Sequence, residues 1–205
     1  MSRRLMLKNS NGASPVLPAE YQRVEWIGTN SHAYINTGIY IMDGTITEIE
    51  FSTTISRLQT NASYVMMCFG TYYGQYIGKN LRSSAFGLTP SAIFSFAASY
   101  YQQKRLLKVR WDELNTRAEI DDEVIQHTRT SAENHGTLIL GSNLRSPILT
   151  LNAQIYSCVN RGNNITQILI PCYRKSDNVI GMYDTVGNVF YISAGTGTFT
   201  KGADV

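Results

Sequence analysis

Charge is scarce in this chain: 16% of its 205 residues are charged, and the net charge is +3. That balance is too weak to build a phosphate-binding surface, and no Lys/Arg cluster sits among aromatics, so nucleic acid is not an expected partner. Long apolar runs are missing too. The basic residues Arg3, Arg4 and Lys8 enclose only Leu5-Met6-Leu7, and the polar Asn9-Ser10-Asn11-Gly12 follows. A secretory signal needs roughly 7 to 15 apolar residues and a spanning helix about 20. The expectation is a mature chain that starts essentially here, with no membrane insertion. Residues 1–16 read as an extended arm, too poor in apolar content to fold alone; it is either a disordered tail or an arm that orders on a neighbouring subunit.

Cysteine is limited to Cys68, Cys158 and Cys172. Three thiols cannot all pair within one chain. With a turn at Arg161 to Asn164, Cys158 falls opposite a residue near Gln167, leaving Cys172 about five positions, or roughly 16 Å, further along. A disulfide needs Cα atoms within about 7 Å, so the three read as reduced thiols, in keeping with a reducing compartment. There is no CxxC and no Cys/His spacing of a zinc site. Catalytic constellations are equally thin. His32, His127 and His135 are scattered, no GxSxG accompanies them, and the glycine-containing stretches lack a P-loop ending. No fixed repeat, low-complexity tract or heptad occurs.

What the chain does contain is β-strand signal almost throughout. Leu107, Val109 and Trp111 alternate with Lys108 and Arg110, giving one buried and one wet face, and Leu138 and Leu140 do the same more briefly. Strands are also expected at Thr45 to Ser52, Ser63 to Phe69, Ile93 to Phe96, Leu149 to Cys158 and Ile165 to Ile170, with a short helical turn within Ser99 to Leu106. Near the end, Val179 to Tyr183 and Val189 to Ile192 flank Gly187-Asn188 as hairpin arms flank a turn. Gly195, Gly197 and Gly202 then punctuate a glycine-kinked final strand. Many short strands separated by turns argue for an all-β, two-sheet antiparallel sandwich, and large sandwiches of this length are commonly one domain.

Three segments carry a resemblance. Leu17-Pro18-Ala19-Glu20-Tyr21-Gln22-Arg23-Val24-Glu25-Trp26-Ile27 resembles an "LPxGYxxVEYI" opening, Ala33 to Ile39 resembles "QYIDTG", and Pro171 to Thr200 resembles a closing signature. All belong to the LamG-like, concanavalin A-like domains of bacteriophage and prophage tail-associated proteins from gut bacteria. The similarity spans residues 17 to 202 and is thinner in the middle, where Ile155-Tyr156-Ser157-Cys158 carries it. Ala19, Trp26 and Asn36 depart from the pattern, and Asn36 removes a carboxylate. The resemblance implies a jelly-roll domain over residues 17–205, assembled in the host cytoplasm into a virion. It also implies other virion proteins as partners and a homo-oligomer, by the usual symmetry of phage fibres and tips. In such sandwiches calcium is the one cofactor to consider; otherwise none is expected. Asp43 beside Gly44 and Asp112-Glu113 are its weak candidates.

Glu119-Ile120-Asp121-Asp122-Glu123 is the strongest chemical signal. On one continuous strand Glu119, Asp121 and Glu123 would share a face, similar to the "ExDxE" strand of certain glycoside hydrolases. The flanking Arg117 to Ile120 and Val124 to Gln126 read instead as hairpin arms around Asp121-Asp122, which splays the carboxylates. Asp177 reads as a turn cap after Arg174-Lys175-Ser176.

Binding chemistry is suggested by tyrosine. Leu58 to Lys104 contains no Asp or Glu but holds Tyr64, Tyr72, Tyr73, Tyr76, Tyr100 and Tyr101. A tyrosine offers a flat apolar face for a sugar ring or a partner, plus a hydroxyl. Tyr72, Tyr73, Gln75, Tyr76, Asn80, Arg82, Tyr100 and Tyr101 are the candidate contact residues. Three functions follow: a non-enzymatic module contacting host cell-surface glycan or another virion protein, a purely structural decoration or tail-tip subunit, and a glycoside hydrolase.

Overall fold

The computed structural model describes residues 16–29, 32–53, 64–68, 76–79, 86–88, 92–112, 114–128, 136–141 and 152–205. The first strands are β1 (Tyr21–Arg23), β2 (Ile27–Gly28), β3 (Ile35–Tyr40), β4 (Ile46–Thr53), β5 (Tyr64–Cys68), β6 (Tyr76–Lys79), β7 (Phe86–Leu88) and β8 (Ala92–Ile93). A 3-10 turn, Ala98–Gln102, leads to β9 (Arg105–Arg110), β10 (Asn115–Ile120), β11 (Glu123–Thr128) and β12 (Thr137–Leu140). Then come β13 (Ala153–Gly162), β14 (Ile165–Arg174), β15 (Ile180–Asp184), β16 (Val189–Ile192) and β17 (Thr200–Lys201).

The strands pair antiparallel into two sheets. The larger runs β11-β10-β9-β4-β13-β14-β15-β16, with β1 on β14, β2 on β13 and β17 on β2; the smaller runs β3-β12-β5-β6-β7-β8. Phe51, Leu107, Ile155 and Leu169 from the larger sheet share one core with Ile35, Leu138, Leu140 and Leu88 from the smaller. The protein is therefore an all-β antiparallel sandwich. Alternation places that core: Leu107, Val109 and the following Trp111 are wholly buried, while Lys108 and Arg110 face solvent. Burying each such side chain contributes about 1.5–3 kcal/mol. β12 differs from the expected half-wet strand. Ile139 is buried along with Leu138 and Leu140, on a strand that lies between β3 and β5.

β14 is longer than expected and runs through Pro171, which has no N–H for a ladder bond. The proline sits where β14 changes neighbours. β13 pairs as far as Leu169 and β1 takes over at Cys172, while the Pro171 carbonyl accepts from Val24 N on that same side at 3.1 Å. The β13–β14 turn is Asn163-Asn164, both at positive φ (50° and 63°), as a two-residue hairpin loop requires. Cys158 therefore stands opposite Leu169, not near Gln167, and three positions instead of five separate it in register from Cys172. Both thiols are free and buried.

The expected last strand is reduced to Thr200–Lys201, and residues 194–197 form bends around their glycines. These residues close the sandwich. Thr200–Lys201 pairs with β2, Gly202 N donates to Trp26 O at 3.0 Å, Glu25 N to Ala203 O at 2.9 Å, and Val205 N to Arg23 O at 3.1 Å. Gly197 N and Ala194 N donate to His32 O and Tyr34 O in the same manner. The sequence segments that carry the family resemblance are thus zipped against one another, so they hold the fold together.

Candidate functional site

Two of the expected contact residues, Tyr100 and Tyr101, lie in the 3-10 turn between β8 and β9. Tyr101 points inward: it is 1% exposed and stacks at 6.4 Å on Phe51, a correction to its reading as a contact residue. Burial pushes its hydroxyl pKa up, and the charge of Glu123 adds to that. Tyr100 is half-buried. Its ring stacks on Phe96 at 3.9 Å and 8°, and the Arg105 guanidinium lies 3.6 Å from its centroid. At those distances the two neighbours must occupy opposite faces of the ring. Its hydroxyl donates to Asp121 Oδ2, which also faces Arg105 Nη1 at 3.5 Å. With both faces and the hydroxyl engaged, Tyr100 ties the 3-10 turn to the β10–β11 hairpin and presents no open stacking platform. Tyr76 opens β6, and Tyr72, Tyr73, Gln75, Asn80 and Arg82 lie outside the described residues.

The acidic stretch forms the expected hairpin. Ile120 pairs with Glu123, and Asp121 takes the positive φ (51°) of a two-residue turn. Its three alternate carboxylates, Glu119, Asp121 and Glu123, go to different places. Asp121 binds Tyr100, Glu123 accepts from Ser95 N at 2.7 Å and Ser95 Oγ at 2.8 Å, and Glu119 faces outward from β10 beside Lys108. Retaining and inverting glycosidases both need two carboxyls flanking one bond.

Asp112 Oδ1 accepts from Leu114 N and Asn115 N at 2.9 and 2.7 Å, so it builds the turn into β10. Glu113 lies outside the described residues, and the Asp43 carbonyl accepts from Asn163 Nδ2 at 2.6 Å. No group of three or more His, Cys, Asp or Glu among the described residues is arranged to hold a metal ion. His127 is buried on β11, His32 occupies a positive-φ position, and His135 lies outside the described residues. Asp177 caps its turn as expected, accepting from Val179 N at 3.2 Å. It also takes a charged bond of 2.6 Å from Arg174, which holds its carboxyl below the usual range.

A depression that single-strand reading missed lies on the outer face of the larger sheet. A shallow depression of about 210 Å³ is lined by Ile46, Lys108, Arg110, Arg117 and Glu119. Register assembles it. One cross-strand row reads Glu119, Lys108, Glu48, and its charges alternate, with Lys108 Nζ 3.9 Å from Glu48. The next row reads Arg117, Arg110, Ile46, Arg161. Arg161 reaches back to Glu48 at 3.6 Å, whereas Arg110 and Arg117 stand directly opposite each other and ion-pair with no described residue. The wet face of Lys108 and Arg110 was visible in the alternation, but the pairing of Arg110 with Arg117 needed the register.

No protein-family model matches this chain, and no curated protein matches it either.

Proposed function

We propose that the chain is a non-enzymatic, virion-associated binding module with a concanavalin A-like, LamG-like jelly roll, contacting host cell-surface glycan or another virion protein. The observation that carries the non-enzymatic reading is the dispersal of Glu119, Asp121 and Glu123. Two are spent on Tyr100 and Ser95, which leaves no two of these three carboxyls free to flank one bond. The pairing of Tyr21–Arg23 with Cys172–Arg174, and the bond from Val24 N to Pro171 O, give the opening and closing segments of the resemblance a shared structural task, which supports it. A glycan-array and host-cell binding assay of the purified protein tests the reading, with a Tyr72/Tyr73/Tyr76 to alanine variant alongside. Specific binding is expected; its absence in a folded protein overturns the adhesive role. Glycan cleavage abolished by Glu119→Gln or Glu123→Gln would instead establish a hydrolase.

The structural-subunit reading is favoured by a different observation. β16 ends the larger sheet and leaves Val189 and Ile192 exposed, and an uncovered apolar edge strand is a ready surface for a neighbouring subunit. Assembly lost on Val189→Lys, with glycan binding absent from the parent protein, would support that reading.

A further inference from the structure

We propose that Arg110 and Arg117 form a binding site for the oxyanion of an acidic polysaccharide, seated in the depression on the outer face of the larger sheet. This rests on the glycan-binding reading and names its ligand class. Like charges directly opposite on neighbouring strands destabilise a sheet. Elsewhere on this face cations are matched: Lys108 and Arg161 approach Glu48, and Lys104 lies 2.8 Å from Glu50. Arg110 and Arg117 ion-pair with none of the described residues, and a bound anion would supply the missing charge. Two guanidiniums whose Cβ atoms are about 5 Å apart suit one carboxylate, sulfate or phosphate, which each fork engages with paired N–H donors.

The surroundings select a sugar over a nucleic acid. Ile46, next in the row, gives an apolar floor on which the C–H face of a pyranose can lie. Glu119 and Glu48 run along the adjacent row, where their carboxylates can accept bonds from sugar hydroxyls. An open, shallow site on a sheet face also suits a residue within a polymer better than a small molecule that must be enclosed.

The test is calorimetric titration of the full chain with polygalacturonate, a teichoic-acid phosphodiester polymer, neutral dextran and single-stranded DNA, at about 20 and 300 mM salt. An acidic polysaccharide should bind and dextran should not, and the carboxylate and phosphate arms identify which oxyanion is taken. Arg110→Ala and Arg117→Ala should each weaken binding about ten-fold or more. Glu119→Gln should tighten it. The arginine variants should unfold at the same temperature as the parent or higher, since they relieve a repulsion, so lost binding is not lost folding. Binding unchanged in both arginine variants overturns the site, as does DNA binding as tight as that of the acidic glycan. Glycan-array binding that survives both substitutions overturns the site while leaving the binding-module reading intact. No binding to any glycan, acidic or neutral, overturns both.

Discussion

Asn160 stands directly opposite Gln167 inside the sandwich, its Nδ2 donating to Gln167 Oε1 at 2.8 Å with both side chains buried. The bond is the centre of a longer polar chain. Trp111 Nε1 donates to Thr47 Oγ1 at 2.9 Å, which donates to Asn160 Oδ1 at 2.8 Å. Gln167 Nε2 donates to Thr37 O at 3.0 Å and to Tyr191 OH at 3.2 Å. Thr37 lies on β3, so the network bridges the two sheets. A half-satisfied buried network costs more than an apolar one. Asn160→Ala should therefore destabilise by about 2–4 kcal/mol, because it orphans groups on both sides. The double variant with Gln167→Ala should cost less than the sum of the singles. Urea denaturation of the four proteins measures this, and strict additivity would show that the two side chains act independently.

Gly202 lies beneath Trp26. A Cβ there would sit 2.7 Å from the indole Nε1 and 2.9 Å from Cδ1, so the indole would have to shift. Gly202→Ala should cost about 1–3 kcal/mol by overpacking. Thermal unfolding checks it, and Gly202→Ala combined with Trp26→Leu should recover part of the loss.

The fold was legible where chemistry is local. Leu107, Val109 and Trp111 announce a buried face, Asp121-Asp122 announces a turn, and Asp177 announces a cap, since each depends only on its near neighbours in the chain. Register was not legible in the same way. Moving the β13–β14 turn by one residue, onto Asn163-Asn164, shifted the partner of Cys158 by two. The Asn-Asn dipeptide, which tolerates positive φ, was the available signal. The depression could not be read from one strand, because Arg110 and Arg117 meet only across the β9–β10 register. Tyr100 and Tyr101 were adjacent and alike in sequence, yet one turns into the core and the other is clamped at the surface. Composition carries no such distinction.

Tyr100 and Asp121 make the next test. Tyr100→Phe keeps the stack on Phe96 and Arg105 but loses the bond to Asp121, at a cost of about 0.5–1.5 kcal/mol. Tyr100→Ala also loses the stack and the cation contact and should cost about 1–2 kcal/mol more. Amide exchange in the β10–β11 hairpin should accelerate in both variants, and more in the second. Unchanged exchange would mean that the hairpin is held by its ladder alone.

The buried thiols give a pH dependence with a definite sign. Burial pushes Cys158 and Cys172 from an ordinary 9.0 up to about 12 each, against small opposing hydrogen bonds from Asn160 and the Tyr183 backbone. Between those values the unfolded chain releases protons that the folded one keeps, so stability is full below about pH 9 and falls as pH rises toward 12. Cys158→Ala and Cys172→Ala should each flatten that fall. At pH 8 both thiols stay protonated and shielded, and iodoacetamide should label them only as the protein unfolds. Peptide mapping by mass spectrometry separates them from Cys68. Labelling of Cys158 or Cys172 in the native state, at a rate independent of denaturant, would contradict their burial.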